Sequence, residues 1–192
     1  GLLILGETEY LKYGNNHHEL AAKFGIEFLN ATIQDSSNNF KDVATWIKPA
    51  KDTTTDVDLF SRVNDFVLYR AGALKTVSAD AEVIARSSES ADPSAAGVIA
   101  TAKFGQGRVL VIMDSDLFGD DSISDEDNQT LLVNVLAWLS RRDEAQSLKQ
   151  EHQLITTDAW KKLVEACELF ARSRIKMVLS LMLLVTQTLL KS

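Results

Sequence analysis

The sequence predicts an α/β fold, and three observations lead there. The run Arg108–Met113 is apolar almost without interruption behind a Gly105-Gln106-Gly107 turn. An acidic loop and an apolar helical pattern follow it directly. Near the start, Leu2–Leu5, a short helical stretch and Ile26–Leu29 form a strand, helix, strand unit. A strand that is apolar on both sides suits a sheet covered on both faces, because neither row of its side chains reaches water.

Leu2–Leu5 is the first strand, and Gly6-Glu7-Thr8-Glu9 is the loop at its carboxyl end, carrying two acids. Gly14, Asn15 and Asn16 make a turn and supply a helix N-cap, since Asn accepts from the free amides of a first turn. The helix runs through Glu19 to Phe24, two turns at most, and Gly25 is its left-handed stop. Ile26–Leu29 then resumes as strand. From Asn30 to Thr55, Asn, Ser and Thr clusters surround Phe40, Val43, Trp46 and Ile47, with Pro49 near the end; the expectation is mostly loop with one short element. Asp56–Val63 is expected to be helical, Phe66–Tyr69 extended and Ala81–Arg86 a strand. Ser87–Ala96, with Pro93, reads as a surface loop. Gly97–Lys103 and Arg108–Met113 are joined by Phe104-Gly105-Gln106-Gly107, a hairpin that sets an antiparallel neighbour against the central strand. Leu131, Leu132, Val135, Leu136 and Leu139 recur at helical spacing. That helix is expected to start near Ser124 or Asp125, where acids suit the helix dipole, and to end near Arg142.

Residues 1–142 are thus read as an α/β domain, 143–156 as a polar connector and 157–192 as C-terminal helices. Trp160, Leu163, Val164, Cys167, Phe170 and Ala171 line one face of the first of these helices. Met177–Leu190 is a run of 14 uncharged residues. It is shorter than the roughly 20 apolar residues of a membrane span, and Ser180, Thr186, Gln187 and Thr188 interrupt it. The expectation is a helix buried against another protein surface, in this chain or a partner, and no membrane insertion.

The chain has 192 residues, 45% of them hydrophobic, and a formal charge of −7. Residues 1–140 hold 11 bases against 21 acids, and residues 141–192 hold 9 against 6. An acidic main domain argues against nucleic acid as a partner, because phosphate binding draws on clustered Lys and Arg. One cysteine, Cys167, excludes an internal disulfide framework and suits a reducing compartment such as the cytoplasm. The chain opens on an apolar strand with no lead-in, as a piece of a longer protein would.

Chemistry concentrates after the central strand, in Asp114, Asp116, Asp120, Asp121, Asp125, Glu126 and Asp127. Sheets of this class hold their sites beyond the carboxyl ends of strands. Asp114-Ser115-Asp116 is a carboxylate pair of the kind that binds magnesium, so a metal-dependent hydrolase or phosphatase using Asp114 and Asp116 is one reading. The spacing Asp114, Asp116, Gly119, Asp125 also resembles a calcium loop, but Phe118 stands where an oxygen is required. A looser magnesium or calcium site on Asp114, Asp116 and Asp120 stays open beside the plainer reading of caps, turn formers and a solvated rim. His17 and His18 read as surface residues, because adjacent positions on a helix diverge. No nucleophile elbow, G-x-G-x-x-G or P-loop occurs.

Three stretches together, LLILGETEYLKYGNNHHELAAKFGIEF, GVIATAKFGQGRVLVIMDSDLFGDD and DNQTLLVNVLAWL, resemble the class I glutamine amidotransferase-like superfamily. The similarity is to its non-catalytic branch in gliding-motility and intraflagellar-transport proteins. It implies a flavodoxin-like three-layer α/β/α domain, N-terminally incomplete, with Gly1 the remnant of a glycine-rich turn. In catalytic members the first strand leads into a Gly-x-Cys elbow and a later strand ends in His-x-Glu. Here Gly6-Glu7-Thr8 and Asp114-Ser115-Asp116 stand in those places. The resemblance therefore implies a pseudoenzyme, a binding or scaffolding domain of a larger protein without a cofactor. The two loops would face each other across the sheet edge as an acidic cleft of Glu7, Glu9, Asp114 and Asp116, suited to a cation or a basic ligand.

Overall fold

The apolar runs of the sequence become neighbours in one mixed sheet. A computed structural model describes residues 1–13, 17–55 and 57–141. These belong to the first of two units, Gly1–Leu148 and Lys149–Ser192. The connector, the C-terminal helices and the Gly14-Asn15-Asn16 turn lie outside the described residues. In chain order the elements are β1 (Leu2–Leu5), α1 (Tyr10–Tyr13), α2 (His17–Ala22), β2 (Ile26–Leu29), β3 (Asn39–Phe40), β4 (Val43–Ile47) and β5 (Ala50–Lys51). They continue with β6 (Leu68–Tyr69), β7 (Ala73–Thr76), β8 (Ala81–Arg86), β9 (Gly97–Phe104), β10 (Gly107–Ile112), a 3₁₀ turn at Asp116–Phe118 and α3 (Asn128–Leu139).

The main sheet has seven strands, ordered β1-β10-β9-β7-β2, with β8 also on β9 and β5 on β8. The fold class is α/β, as expected, and β9 and β10 form the expected antiparallel hairpin, Val109 opposite Ala102 and Val111 opposite Ala100. Within this sheet only the β1–β10 pair is parallel. Burial on both faces therefore comes from coverage above and below rather than from an all-parallel topology.

Alternation along the strands sorts the side chains into two cores. Val109, Val111 and Met113 pack with Ile4, Ala21, Ile26 and Phe28 under α2. Leu110 and Ile112 pack with Leu131, Val135, Trp138 and Leu139 of α3, and with Ile33, Leu59 and Phe66. The sheet is thus the middle of three layers, and its strand period of two decides which helix each residue meets. Of the helical set read from the sequence, Leu131, Val135 and Leu139 are buried, while Leu136 is exposed. Among the described residues no helix is long and apolar enough to cross a membrane.

Three expectations are corrected, and one strand is new. Residues 57–63 form no helix, although Leu59 and Val63 are buried at helical spacing. Their carbonyls are served from outside: Asn134 Nδ2 donates to Leu59 and Ser61 at 3.0 and 2.8 Å, and Lys51 Nζ to Val63 at 2.7 Å. The segment 30–55 holds three strands rather than one element, because Lys41 and Asp42 both take positive φ (56° and 59°) and close a two-residue hairpin. The new strand is β7, which is not among the elements read from the sequence; Leu74 is buried there and Lys75 pairs with Glu27 across the ladder at 2.9 Å. Finally, α3 starts at Asn128 rather than Ser124 or Asp125 and ends at Leu139. Asp127 does not cap it with its side chain; that carboxylate instead accepts from the Asn64 amide at 2.7 Å. At the far end Arg108 Nη1 donates to the Trp138 carbonyl at 2.8 Å, so a base from β10 meets the negative helix terminus.

Candidate functional site at the carboxyl edge

Because β1 and β10 are parallel with Leu5 beside Ile112, their carboxyl ends deliver Gly6–Glu9 and Asp114–Asp116 to the same edge. The join is tight: the Gly6 amide donates to the Ile112 carbonyl at 2.7 Å, and the Gly72 amide to Met113 at 2.9 Å. Gly72 has no room for a side chain, since a Cβ there would lie 2.7 Å from both the Glu7 carbonyl oxygen and the Met113 methyl.

Three of the residues proposed from sequence meet here. Asp114 is 2% exposed. Its Oδ2 accepts from the Tyr69 amide and its Oδ1 from the Asp116 amide, both at 2.7 Å. Burial pushes its carboxyl up to about 7, against the pull of these two amides, and the neighbouring Asp116 and Glu7 carboxylates push the same way. Glu7 accepts a hydrogen bond from the Ser115 hydroxyl, which ties the two loops together. Asp116 is exposed and lies 3.5 Å from Arg70. Thr8 is buried and bonded to the Thr32 hydroxyl.

The other two residues stand elsewhere. Glu9 turns to Lys12 on α1, at 3.0 Å. Asp120 is exposed in the turn after the 3₁₀ segment. Among the described residues no group of three or more His, Cys, Asp or Glu is placed to hold a metal ion.

A second buried aspartate shows what Asp114 lacks. Asp35 is also 2% exposed, and burial raises its carboxyl too. The Ser88 hydroxyl, the Asn38 and Ser37 amides and the Ser90 hydroxyl outweigh that, so it stays below the usual carboxylate range. Four donors keep one aspartate ionised; two donors and two like charges do not do so for the other.

Sequence reasoning missed the residues that organise this edge. Asn128, fully buried, accepts from the Val67 amide at 2.9 Å and donates to the carbonyls of Leu117 and Ser122 at 3.2 and 3.1 Å. It ties β6, the 3₁₀ turn and the acidic loop to the start of α3. Its one sequence signal was an amide side chain at the head of an apolar helix, which reads as a cap. Tyr69 was visible only as part of an extended run. Its hydroxyl donates to Asp125 at 2.7 Å, and burial together with Asp125 holds that hydroxyl above its ordinary pKa.

No known protein family matches the sequence, and no curated protein matches it. Solved structures do resemble the fold. The mmIFT52 N-terminal domain superposes with a TM-score of 0.61 at 19% identity, covering 72% of this chain and 63% of that one. Cytoplasmic Protein STM1381 from Salmonella typhimurium LT2 gives 0.47 at 14% identity, and Cytoplasmic Protein STM3548 from Salmonella typhimurium 0.46 at 16%; each match covers 72% of this chain and 55% of the other. This chain therefore spans less than two thirds of each of them, and the likeness to the mmIFT52 domain is one of fold.

Proposed function

We propose that this chain is a non-catalytic, amidotransferase-like binding or scaffolding domain of a larger protein, working in the cytoplasm. One observation carries the reading: the carboxylate at the centre of the edge serves the backbone. Both oxygens of Asp114 hold main-chain amides of β6 and the 3₁₀ turn, and Glu7 is spent on Ser115. Gly6-Glu7-Thr8 has no thiol where an amidotransferase needs one, and a carboxylate or hydroxyl cannot replace thiolate attack on an amide. The resemblance in fold to the mmIFT52 N-terminal domain supports the same reading.

In this proposal the acids of the edge, Glu7 and Asp116 around Asp114, offer a cation or a basic partner a negative surface. The apolar run Met177–Leu190 supplies a second contact, with the parent protein or a partner. The test is thermal unfolding of the full chain against Mg²⁺, Mn²⁺, Ca²⁺ and a Lys/Arg-rich peptide, alongside a glutaminase assay. The scaffold reading expects no glutamine hydrolysis and a shift with the peptide that weakens in Asp116→Asn. A shift with a divalent cation that disappears in Asp114→Ala would favour a metal-dependent hydrolase instead. Deleting residues 177–192 should leave a folded domain; collapse would mean that the run belongs to this chain's own core.

A further inference from the structure

The small sheet β3-β4-β6 carries a face that the reading above does not use. Trp46 stands opposite Tyr69 in register. Their rings lie 5.3 Å apart and Phe40 adds a third ring 6.4 Å from Trp46. All three rings are only partly buried. Two bases frame them, with Lys41 Nζ 4.5 Å and Lys48 Nζ 5.7 Å from the centre of the Phe40 ring.

This face is held by the chain's own acids. Asp125 accepts from the Tyr69 hydroxyl at 2.7 Å and from Lys41 at 3.2 Å; Glu126 accepts from Lys48 at 2.7 Å, with Asp65 at 3.7 Å. The acidic loop gives up something to do this. Its sequence favours helix from Ser124 or Asp125, yet α3 starts only at Asn128 and Glu126 sits at φ +45°, a region non-glycine residues avoid. Partly exposed ion pairs of this kind are weak and screened by salt. Local preference and tertiary hold therefore pull in opposite directions on Asp125 and Glu126.

We propose that the Phe40-Trp46-Tyr69 face with Lys41 and Lys48 is a docking surface for an acidic, extended segment of a partner protein, and that Asp125-Glu126 occupies it in cis. The charge match is already displayed: each lysine is paired with a carboxylate, one on each of two adjacent loop residues. A partner presenting a similar acidic pair takes over both lysines from the Asp125 and Glu126 carboxylates, while Ser122 and Asp127 on either side stay tied. The aromatic rings supply apolar contact beneath such a segment, and an acidic peptide is favoured over a nucleic acid because the groups the two lysines already hold are carboxylates. This goes beyond the carboxyl-edge reading and stands or falls separately from it.

The experiment uses the full chain and a fluorescein-labelled peptide of residues 119–127 (Gly-Asp-Asp-Ser-Ile-Ser-Asp-Glu-Asp), followed by anisotropy. Wild type should bind weakly. Asp125→Asn/Glu126→Gln, which frees the face, should bind about 10-fold more tightly, equivalent to about 1.4 kcal/mol. Adding Lys41→Gln/Lys48→Gln should abolish the gain, and rising salt should erode it. If the opened variant does not fold by circular dichroism, Tyr69→Phe removes one bond of the strap and carries the same test with a smaller gain. Equal affinity in closed and opened proteins, or binding that survives loss of both lysines, would overturn the proposal. So would an opened variant that takes an oligothymidylate and not the peptide.

Discussion

Asp114→Asn is the sharpest perturbation of the carboxyl edge, because its effect should change sign with pH. Burial pushes the folded carboxyl up to about 7, from an ordinary value of 3.8. A difference of about 3 units corresponds to about 4 kcal/mol. Since the folded pKa is the raised one, this stabilisation is fully present below the unfolded value. It is lost as pH rises through the interval between the two, at about 1.4 kcal/mol per pH unit, and is gone above about pH 7. Asparagine cannot ionise and has no such dependence. It also keeps only one acceptor for the two amides of Tyr69 and Asp116 and turns its NH₂ toward the other, a loss of about 1–3 kcal/mol. Wild type has already lost about 1 kcal/mol by pH 4.5, so there the variant should be less stable by up to about 2 kcal/mol, and at pH 8 it should be more stable by about 1–3 kcal/mol. Urea unfolding of the full chain, followed by circular dichroism from pH 4.5 to 8.5, measures the difference directly. Asp35, Asp52 and Asp125, whose carboxyls are lowered, lose their contribution as pH falls, but equally in both proteins. A stability difference constant across the range would mean that Asp114 is ionised throughout, and the argument from burial and like charge would fail.

Asn128→Ala should destabilise by about 1–3 kcal/mol, because the buried Val67 amide loses its acceptor. Amide exchange at Val67 should accelerate ahead of global unfolding. Asn128→Asp should be worse at neutral pH than at acid pH, since it keeps that acceptor but turns a carboxylate toward the carbonyls of Leu117 and Ser122. Gly72→Ala should lose about 1–3 kcal/mol by overpacking; the Met113 side chain can move, but the Glu7 carbonyl 2.7 Å away is backbone, and a drop in melting temperature reads the effect. Leu110→Ala on β10, where the side chain is fully buried, should lose about 2–5 kcal/mol, seen as a lower urea midpoint with an unchanged slope.

Sequence by itself determined the elements whose signal is local. Leu2–Leu5, Ile26–Leu29 and Ala81–Arg86 are strands with the boundaries read from the chain, and Gly25 takes its left-handed turn at φ +74°. Hydrophobic period and turn chemistry act within a few residues, so they can be read without knowing what packs where. That Glu7, Asp114 and Asp116 come to one edge followed from the family resemblance and not from local pattern, and it depends on the parallel pairing of β1 with β10.

Tertiary structure decided the rest. Whether Leu59 and Val63 belong to a helix depended on Asn134, far away in sequence, which took the Leu59 carbonyl that a helix would have bonded to the Val63 amide; that amide donates to Phe60 instead. The start of α3 moved to Asn128 because Asn64, Lys41, Lys48 and Tyr69 engaged the acids that would have capped it. The chemical character of Asp114 was likewise invisible in the motif Asp-Ser-Asp. That motif reads as a pair of metal ligands; burial and two backbone amides make one of them a brace. Side chains choose among local options according to partners distant in the chain, and only folding supplies those partners.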